Sequence, residues 1–147
     1  VLYLDKRTAA RPVTMFSSPG KVGPAHCTGV GKVMLAYLDE QALEHALERQ
    51  SFHDYMPATL TTPRALRAEI TAIRKRGYGF DREEHEPSII CIAVPILSSR
   101  KAMLGGLSVT STTYVTDLEK LEGYAPRLKE AAAAIADEAT IRMLPGT

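Results

Sequence analysis

The chain has no excess of charge. Eighteen Lys and Arg residues stand against 17 Asp and Glu, a formal net charge of +1. That balance gives no electrostatic case for binding nucleic acid or a membrane surface. The basic residues are scattered, and the densest run, Arg74-Lys75-Arg76, falls where a helix should end and cations complement its dipole. Cysteine is scarce. Cys27 and Cys91 lie far apart and form no CxxC or Cys/His ligand spacing. A disulfide framework and a zinc site are not expected, and a reducing, cytoplasmic compartment fits the pair better. No apolar run reaches membrane-spanning length, and no signal peptide, internal repeat or low-complexity tract is visible. The chain opens with "VLYLDKR", in mid-strand and without Met, so it reads as a piece of a longer protein.

What is present is an ordinary globular composition. The 147 residues are 45% hydrophobic and 24% charged, enough for one domain around one core. "VLYLD" and "PVTMF" are rich in β-formers and are expected to pair antiparallel. Ser17 to Lys32 is dense in Gly and Pro and reads as an irregular loop. A helix should begin near Thr28–Gly31, with Val33, Met34, Tyr37 and Leu38 on one face. Asp39 caps a second helix, and Thr62-Pro63 starts a third that Gly77 stops. The strand "YGFDRE" follows at once. "IICIAVPIL" and "MLGGLSVTST" form a hairpin across "SSRKA". Leu118, Leu121, Ala125, Leu128, Ala132, Ile135 and Ala139 trace a long amphipathic helix, which Pro126 either kinks or divides. This order argues for α+β: an antiparallel sheet flanked by helices.

Several stretches invite sharper readings. Asp81, Glu83, Glu84, His85 and Glu86 form an acidic cluster, but metal binding needs converging ligands. In an extended segment Asp81 and Glu83 point one way and Glu84 the other. Glu84, His85 and Glu86 therefore read as a solvated turn, and Asp81 as a strand residue. "GVGKV" lacks the Ser/Thr and the glycine spacing of a nucleotide phosphate loop. A glycine turn at a helix start still offers free N–H groups to an anion, and a ligand-free tight turn is equally consistent with these residues. Cys27 and Cys91 have no motif that supplies a base among His26, His45, His53 and His85, so both read as buried and inert.

The last two strands say more together. Ile90, Ile92, Val94 and Ile96 make one bulky face. Ile89, Cys91, Ala93 and Pro95 make the other, which shrinks along its length. On the next strand Ser108, Thr110 and Thr112 form a hydroxyl row. Small and hydroxylated side chains on adjacent strands leave space and line it with donors, as a pocket for a small polar ligand requires.

"AHCTGVGKVMLA", "ITAIRKRGYGFDREEHEPSIICIAVPI" and "GGLSVTST", in this order and spacing, closely resemble the effector-binding domain of IclR-family transcriptional regulators. The resemblance covers essentially the whole chain, residues 1–147, as one such domain. It implies a GAF-like antiparallel sheet flanked by helices, no cofactor and no metal, and a homodimer or homotetramer. It implies a small organic acid as effector: a keto acid, hydroxy acid, sugar acid or aromatic acid. Operator DNA would be bound only through an N-terminal winged helix-turn-helix that this chain lacks. The family pocket maps onto Gly29, Val30, Asp81, Ile89, Cys91, Ser108 and Thr110. The family pattern often has Gly after the acidic turn, where Pro87-Ser88 stands here, so a different turn is expected. Asp81 would either accept from a ligand hydroxyl or be protonated. The expected function is ligand sensing for a repressor of carbon catabolism. A small hydrolase or isomerase using Asp81 and Cys91, and a purely structural dimerisation module, are the competing readings.

Overall fold

The structure, a computed structural model, describes residues 1–8 and 14–143. Its first three helices begin where short polar side chains satisfy free N–H groups. Helix α1 (Gly29–Ala36) starts at Thr28, whose Oγ1 accepts from the Gly31 N–H at 3.2 Å. Helix α2 (Glu40–Glu48) starts at Asp39, bonded to the Ala42 N–H at 2.8 Å. Helix α3 (Pro63–Arg76) has Thr62 as its cap and proline in its first turn. Gly77, at φ +81°, ends α3 in the left-handed conformation that glycine tolerates.

The chain then enters a sheet. Strands β1 (Gly79–Arg82), β2 (Ile89–Leu97) and β3 (Met103–Thr112) run antiparallel in that spatial order. Helix α4 (Leu118–Glu122) is capped by Asp117, and helix α5 (Ala125–Met143) follows. Pro126 therefore stands in the first turn of a new helix, where its missing N–H costs nothing, and does not kink an existing one.

The two faces of β2 feed two cores. Ile90, Ile92 and Val94 pack with Phe80 against Leu121, Ala125, Leu128 and Ala132 of α4 and α5. Ala93 faces the opposite way, into Val33, Leu35 and Ala36 of α1 and Leu66, Ile70 and Ile73 of α3. Each of these large aliphatics contributes roughly 1.5–3 kcal/mol by leaving water, before the entropic cost of ordering it. The sheet is thus the middle of a sandwich, and α1 lies directly on its small-residue face.

Two local expectations fail. Leu2 bridges Val22, not the "PVTMF" stretch; Tyr3 donates its N–H to the Lys21 carbonyl at 3.0 Å and accepts from the Gly20 N–H at 2.8 Å. Gly20, at φ +84°, makes the turn that allows this. Pro12 and Val13 lie outside the described residues, and residues 14–16 form no strand. Helix α1 also lacks a single buried face. It stops at Ala36, with Tyr37 as cap, and Lys32, Val33, Leu35 and Ala36 are all buried because sheet and α3 cover it from two sides. Among the described residues no helix is long and apolar enough to cross a membrane.

Candidate functional site

The register of the sheet builds the site. Asp81 on β1 sits opposite Cys91 on β2, and Cys91 opposite Thr110 on β3. Residues opposite one another point to the same face, so these side chains form one row. Ser108 lies one rung along, opposite Ala93, and Ile89 pairs with Thr112. The N-terminal end of α1 closes over this row. Gly29, Val30, Asp81, Ile89, Cys91, Ser108 and Thr110, all singled out from the sequence, line a single cavity.

Close approach of α1 depends on residue size. A Cβ added at Gly29 would stand 2.5 Å from the Cys91 Sγ and 3.3 Å from the Asp81 backbone nitrogen. Glycine is therefore required for contact, not for an unusual φ. A Cβ at Gly106 would meet Val30 at 2.9 Å, so β3 also makes room for the helix. The Gly29 and Asp81 N–H groups point to the Cys91 sulfur. Burial nevertheless pushes the Cys91 thiol up to about 12, so it is no thiolate nucleophile. Cys27 is likewise pushed up to about 12 by burial. Val30, which lines the cavity, stands in the first turn of α1, where backbone N–H groups lack helical acceptors and the dipole is positive.

Asp81 is 5% exposed, and burial raises its carboxyl from 3.8 to about 7. The Glu84 N–H, bonded to its Oδ1 at 2.8 Å, opposes that rise without cancelling it. Below this row lies an ion pair. Lys32, fully buried, donates to Glu84 Oε1. Glu84 also accepts from the Arg82 N–H at 3.3 Å, and its carbonyl accepts from the Thr59 hydroxyl at 2.6 Å. Among the described residues Glu84 Oε2 has no hydrogen-bond partner.

This overturns one expectation. The Glu84-His85-Glu86 turn is not a solvated loop; Glu84 is 2% exposed, and His85 and Glu86 line the cavity. The turn folds inward because its polar groups find partners there. Glu86 accepts from the Phe16 N–H through both oxygens, at 2.9 and 3.0 Å. His85 meets Phe16 and Tyr55 edge-on, with ring centroids 5.2 and 4.8 Å apart, and burial lowers its affinity for a proton. Glu83 and Ser88 take φ +58° and +61°, so Ser88 holds a left-handed conformation in the turn where glycine often stands in the family. Glu83 accepts from the Ser88 N–H at 2.7 Å and helps hold it there.

Tyr3, Met15, Ser17 and Thr28 complete the walls, and none was picked out from the sequence. The free volume they leave is about 40 Å³, room for a few waters at most. A larger hollow of about 510 Å³ on the outer side of α2, lined by Asp39, Gln41, Ala42, Glu44, His45 and Glu48, is an open surface concavity. It has no buried polar group and lies on a different element from the strand row. Among the described residues no group of side chains has the arrangement to hold a metal ion.

Residues 1–137 match the family described as bacterial transcriptional regulator IclR C-terminal. The HTH-type transcriptional regulator XynR of Escherichia coli is 31% identical over 134 residues, which cover 91% of this chain and 53% of that protein. The crystal structure of the Thermotoga maritima IclR superposes with a TM-score of 0.87 at 34% identity, covering 93% of this chain and 56% of that one. A double mutant of the PobR inducer-binding domain from Acinetobacter, in complex with 3-hydroxybenzoic acid, superposes with a TM-score of 0.75 at 29% identity, covering 80% of this chain and 70% of that one. The chain spans about half the length of the curated relatives it matches. These relatives are regulators, not enzymes, which agrees with a protonated, buried Cys91. The chain therefore belongs to the IclR family of bacterial transcriptional regulators and corresponds to their C-terminal effector-binding domain.

Proposed function

We propose that this chain, as a single effector-binding domain, senses a small organic acid in the bacterial cytoplasm and passes the signal to a DNA-binding segment outside these residues. One observation carries the reading. A cavity of mixed polar and apolar lining unites a helix N-terminus, a hydroxyl row and a carboxyl that burial raises to about 7, so that it exchanges its proton near neutral pH. The Val30 N–H and the Ser108 and Thr110 hydroxyls supply donors for a ligand carboxylate or keto oxygen. Asp81 then faces the other polar end, and in its protonated form it does not repel the acid. Among the relatives, the PobR domain was solved with a hydroxylated aromatic acid, which supports ligands of this chemistry. An Escherichia coli relative, 32% identical over 109 residues, is named the transcriptional repressor IclR, which supports repression as the mode of action. Assembly as a dimer or tetramer belongs to the same reading.

The test is a thermal-shift screen over keto, hydroxy, sugar and aromatic acids, followed by calorimetry on the hits. A ligand that binds only the native state raises the melting temperature, and the stabilisation grows with the logarithm of its concentration over Kd. A screen in which no acid shifts the transition, and in which the strand-row residues are silent to every acid by NMR, would refute the assignment. Recovery of chemically altered acid would point back to an enzyme.

A further inference from the structure

The cavity is too small for the ligand just proposed. Sites for small organic ligands enclose roughly 300–1,000 Å³, against about 40 Å³ here. The walls of the cavity show what can move to make up the difference. Asp81, Ile89 and Cys91 belong to buried strands, and Gly29 is pinned against Cys91. The remaining cover is the N-terminal segment, which carries Tyr3, Met15 and Ser17. Among the described residues it is held by the Leu2–Val22 bridge with its flanking bonds, the Val1 amino group donating to the Gly23 carbonyl at 2.8 Å, the Glu86 and His85 contacts to Phe16, and Lys6 Nζ donating to the Ser17 carbonyl at 2.8 Å.

Tyr3 is unusual within that segment. Leu2 and Leu4 are 55% and 82% exposed, while Tyr3 between them turns inward. Its ring lies against Gly23, where an added Cβ would stand 2.9 Å from the ring and 3.1 Å from the hydroxyl oxygen. Burial, with the Asp81 and Glu86 carboxyls nearby, raises the phenol to about 12, and the Thr28 side chain at the start of α1 opposes that rise. These groups are the cavity's own lining. The segment thus leaves Leu2 and Leu4 in solvent and turns the half-buried Tyr3 toward the polar site.

We propose that Tyr3 is the pocket's resident occupant, and that the effector is an acid carrying a hydroxylated six-membered ring that displaces it. This rests on the acid-sensing reading above and narrows it. The phenol ring, with its hydroxyl aimed at Thr28 and α1, marks the shape and polarity of the seat. A ring acid enters with its carboxylate toward α1 and its ring where Tyr3 now lies. The N-terminal segment must then swing away, so occupancy of the pocket is reported by the position of Tyr3.

The probe is 4-methylphenol, the tyrosine side chain as a free molecule. It is titrated by calorimetry into the wild-type chain, Tyr3→Ala and Tyr3→Phe. Tyr3→Ala should bind it at least about tenfold tighter than wild type, because no internal competitor remains. Tyr3→Phe, which keeps the ring, should exclude it as wild type does. A Tyr3→Ala variant that is folded by circular dichroism and binds 4-methylphenol no better than wild type overturns the proposal. The second measurement uses wild-type protein with ¹³C-labelled tyrosine, titrated with 3-hydroxybenzoate and glucuronate, an aromatic and a pyranose ring acid. Saturating acid should move the Tyr3 ring signals to solvent-exposed positions, and this decides the matter if Tyr3→Ala does not fold. Acid binding at the strand row with Tyr3 unmoved sinks the seat and leaves the acid reading standing. A 4-methylphenol gain with no acid bound to any variant overturns the acid half and leaves Tyr3 as occupant.

Discussion

Replacing Asp81 with asparagine should stabilise the protein at pH 8 and change little near pH 4. The carboxyl is buried, and its folded value is raised from 3.8 to about 7. Below 3.8 both native and unfolded chains hold the proton, and Asp81 contributes nothing to the pH dependence. Between 3.8 and about 7 the native state holds a proton that the unfolded chain has released, so stability falls as pH rises through this window. Above about 7 both states are ionised and the native state bears the whole cost of a buried charge. About three pH units at about 1.4 kcal/mol each give a loss of roughly 4 kcal/mol as an upper bound. Asparagine carries no charge and keeps an oxygen for the Glu84 N–H, now bonded at 2.8 Å. The variant's advantage should therefore grow from near zero at pH 4 to as much as roughly 4 kcal/mol at pH 8. Urea unfolding of both proteins at pH 4.5, 6, 7 and 8, followed by far-ultraviolet circular dichroism and linear extrapolation, reads this difference. Groups that titrate alike in both proteins cancel. A difference that is flat with pH, or a variant less stable than wild type at pH 8, would refute the protonated, desolvated Asp81.

Further outcomes follow from other contacts. Ser108→Ala should weaken binding of the effector by roughly 1–3 kcal/mol, because it leaves a ligand oxygen unpaired in a desolvated site; calorimetry on the folded variant reads it. Gly29→Ala should cost roughly 1–3 kcal/mol of stability and abolish ligand binding, since its Cβ would fall 2.5 Å from the Cys91 sulfur; denaturation and a thermal-shift screen check both halves. Lys32→Met should destabilise by roughly 3–5 kcal/mol by leaving Glu84 charged and buried without its partner. Adding Glu84→Gln to it should restore part of that loss, and urea midpoints of the single and double variants measure the recovery.

Much of the fold was legible because its signals are local. Thr28, Asp39 and Thr62 each stand at a helix start and bond the N–H three residues on, as caps do wherever they occur. The hairpin from Ile89 to Thr112 could be read from period-two alternation, and its register brings Asp81, Cys91 and Thr110 into one row. Alternation settles which strand residues share a face, so the floor of the pocket was within reach of sequence alone. The N-terminal stretch was not. "VLYLD" is apolar on both faces, so alternation chooses no side, and its partner is decided by the turn at Gly20. Tyr3 reaches the pocket only through that long-range choice.

The inward turn from Glu83 to Ser88 escaped for a different reason. A run of acidic residues is usually solvated, and nothing local marks one of them for burial. The missing term is Lys32, 52 residues earlier, which the sequence presents only as the lysine of "GVGKV". Yet "GVGKVMLA" is otherwise without charge, and a lone lysine in an apolar helix that is covered on both sides needs a buried anion. Glu84 supplies it, and in doing so it drags His85 and Glu86 to the cavity wall. The pair also places the Glu84 N–H on Asp81, so the residues that hold the turn inward are those that orient the pocket's carboxyl. Replacing the pair by hydrophobic residues of similar volume would keep the core packed, since buried ion pairs contribute little net stability. It would not keep Asp81 in place with the same neighbours. Through Lys32, α1 carries both one wall of the cavity and the anchor of its opposite wall. A ligand that pushes on one must therefore load the other.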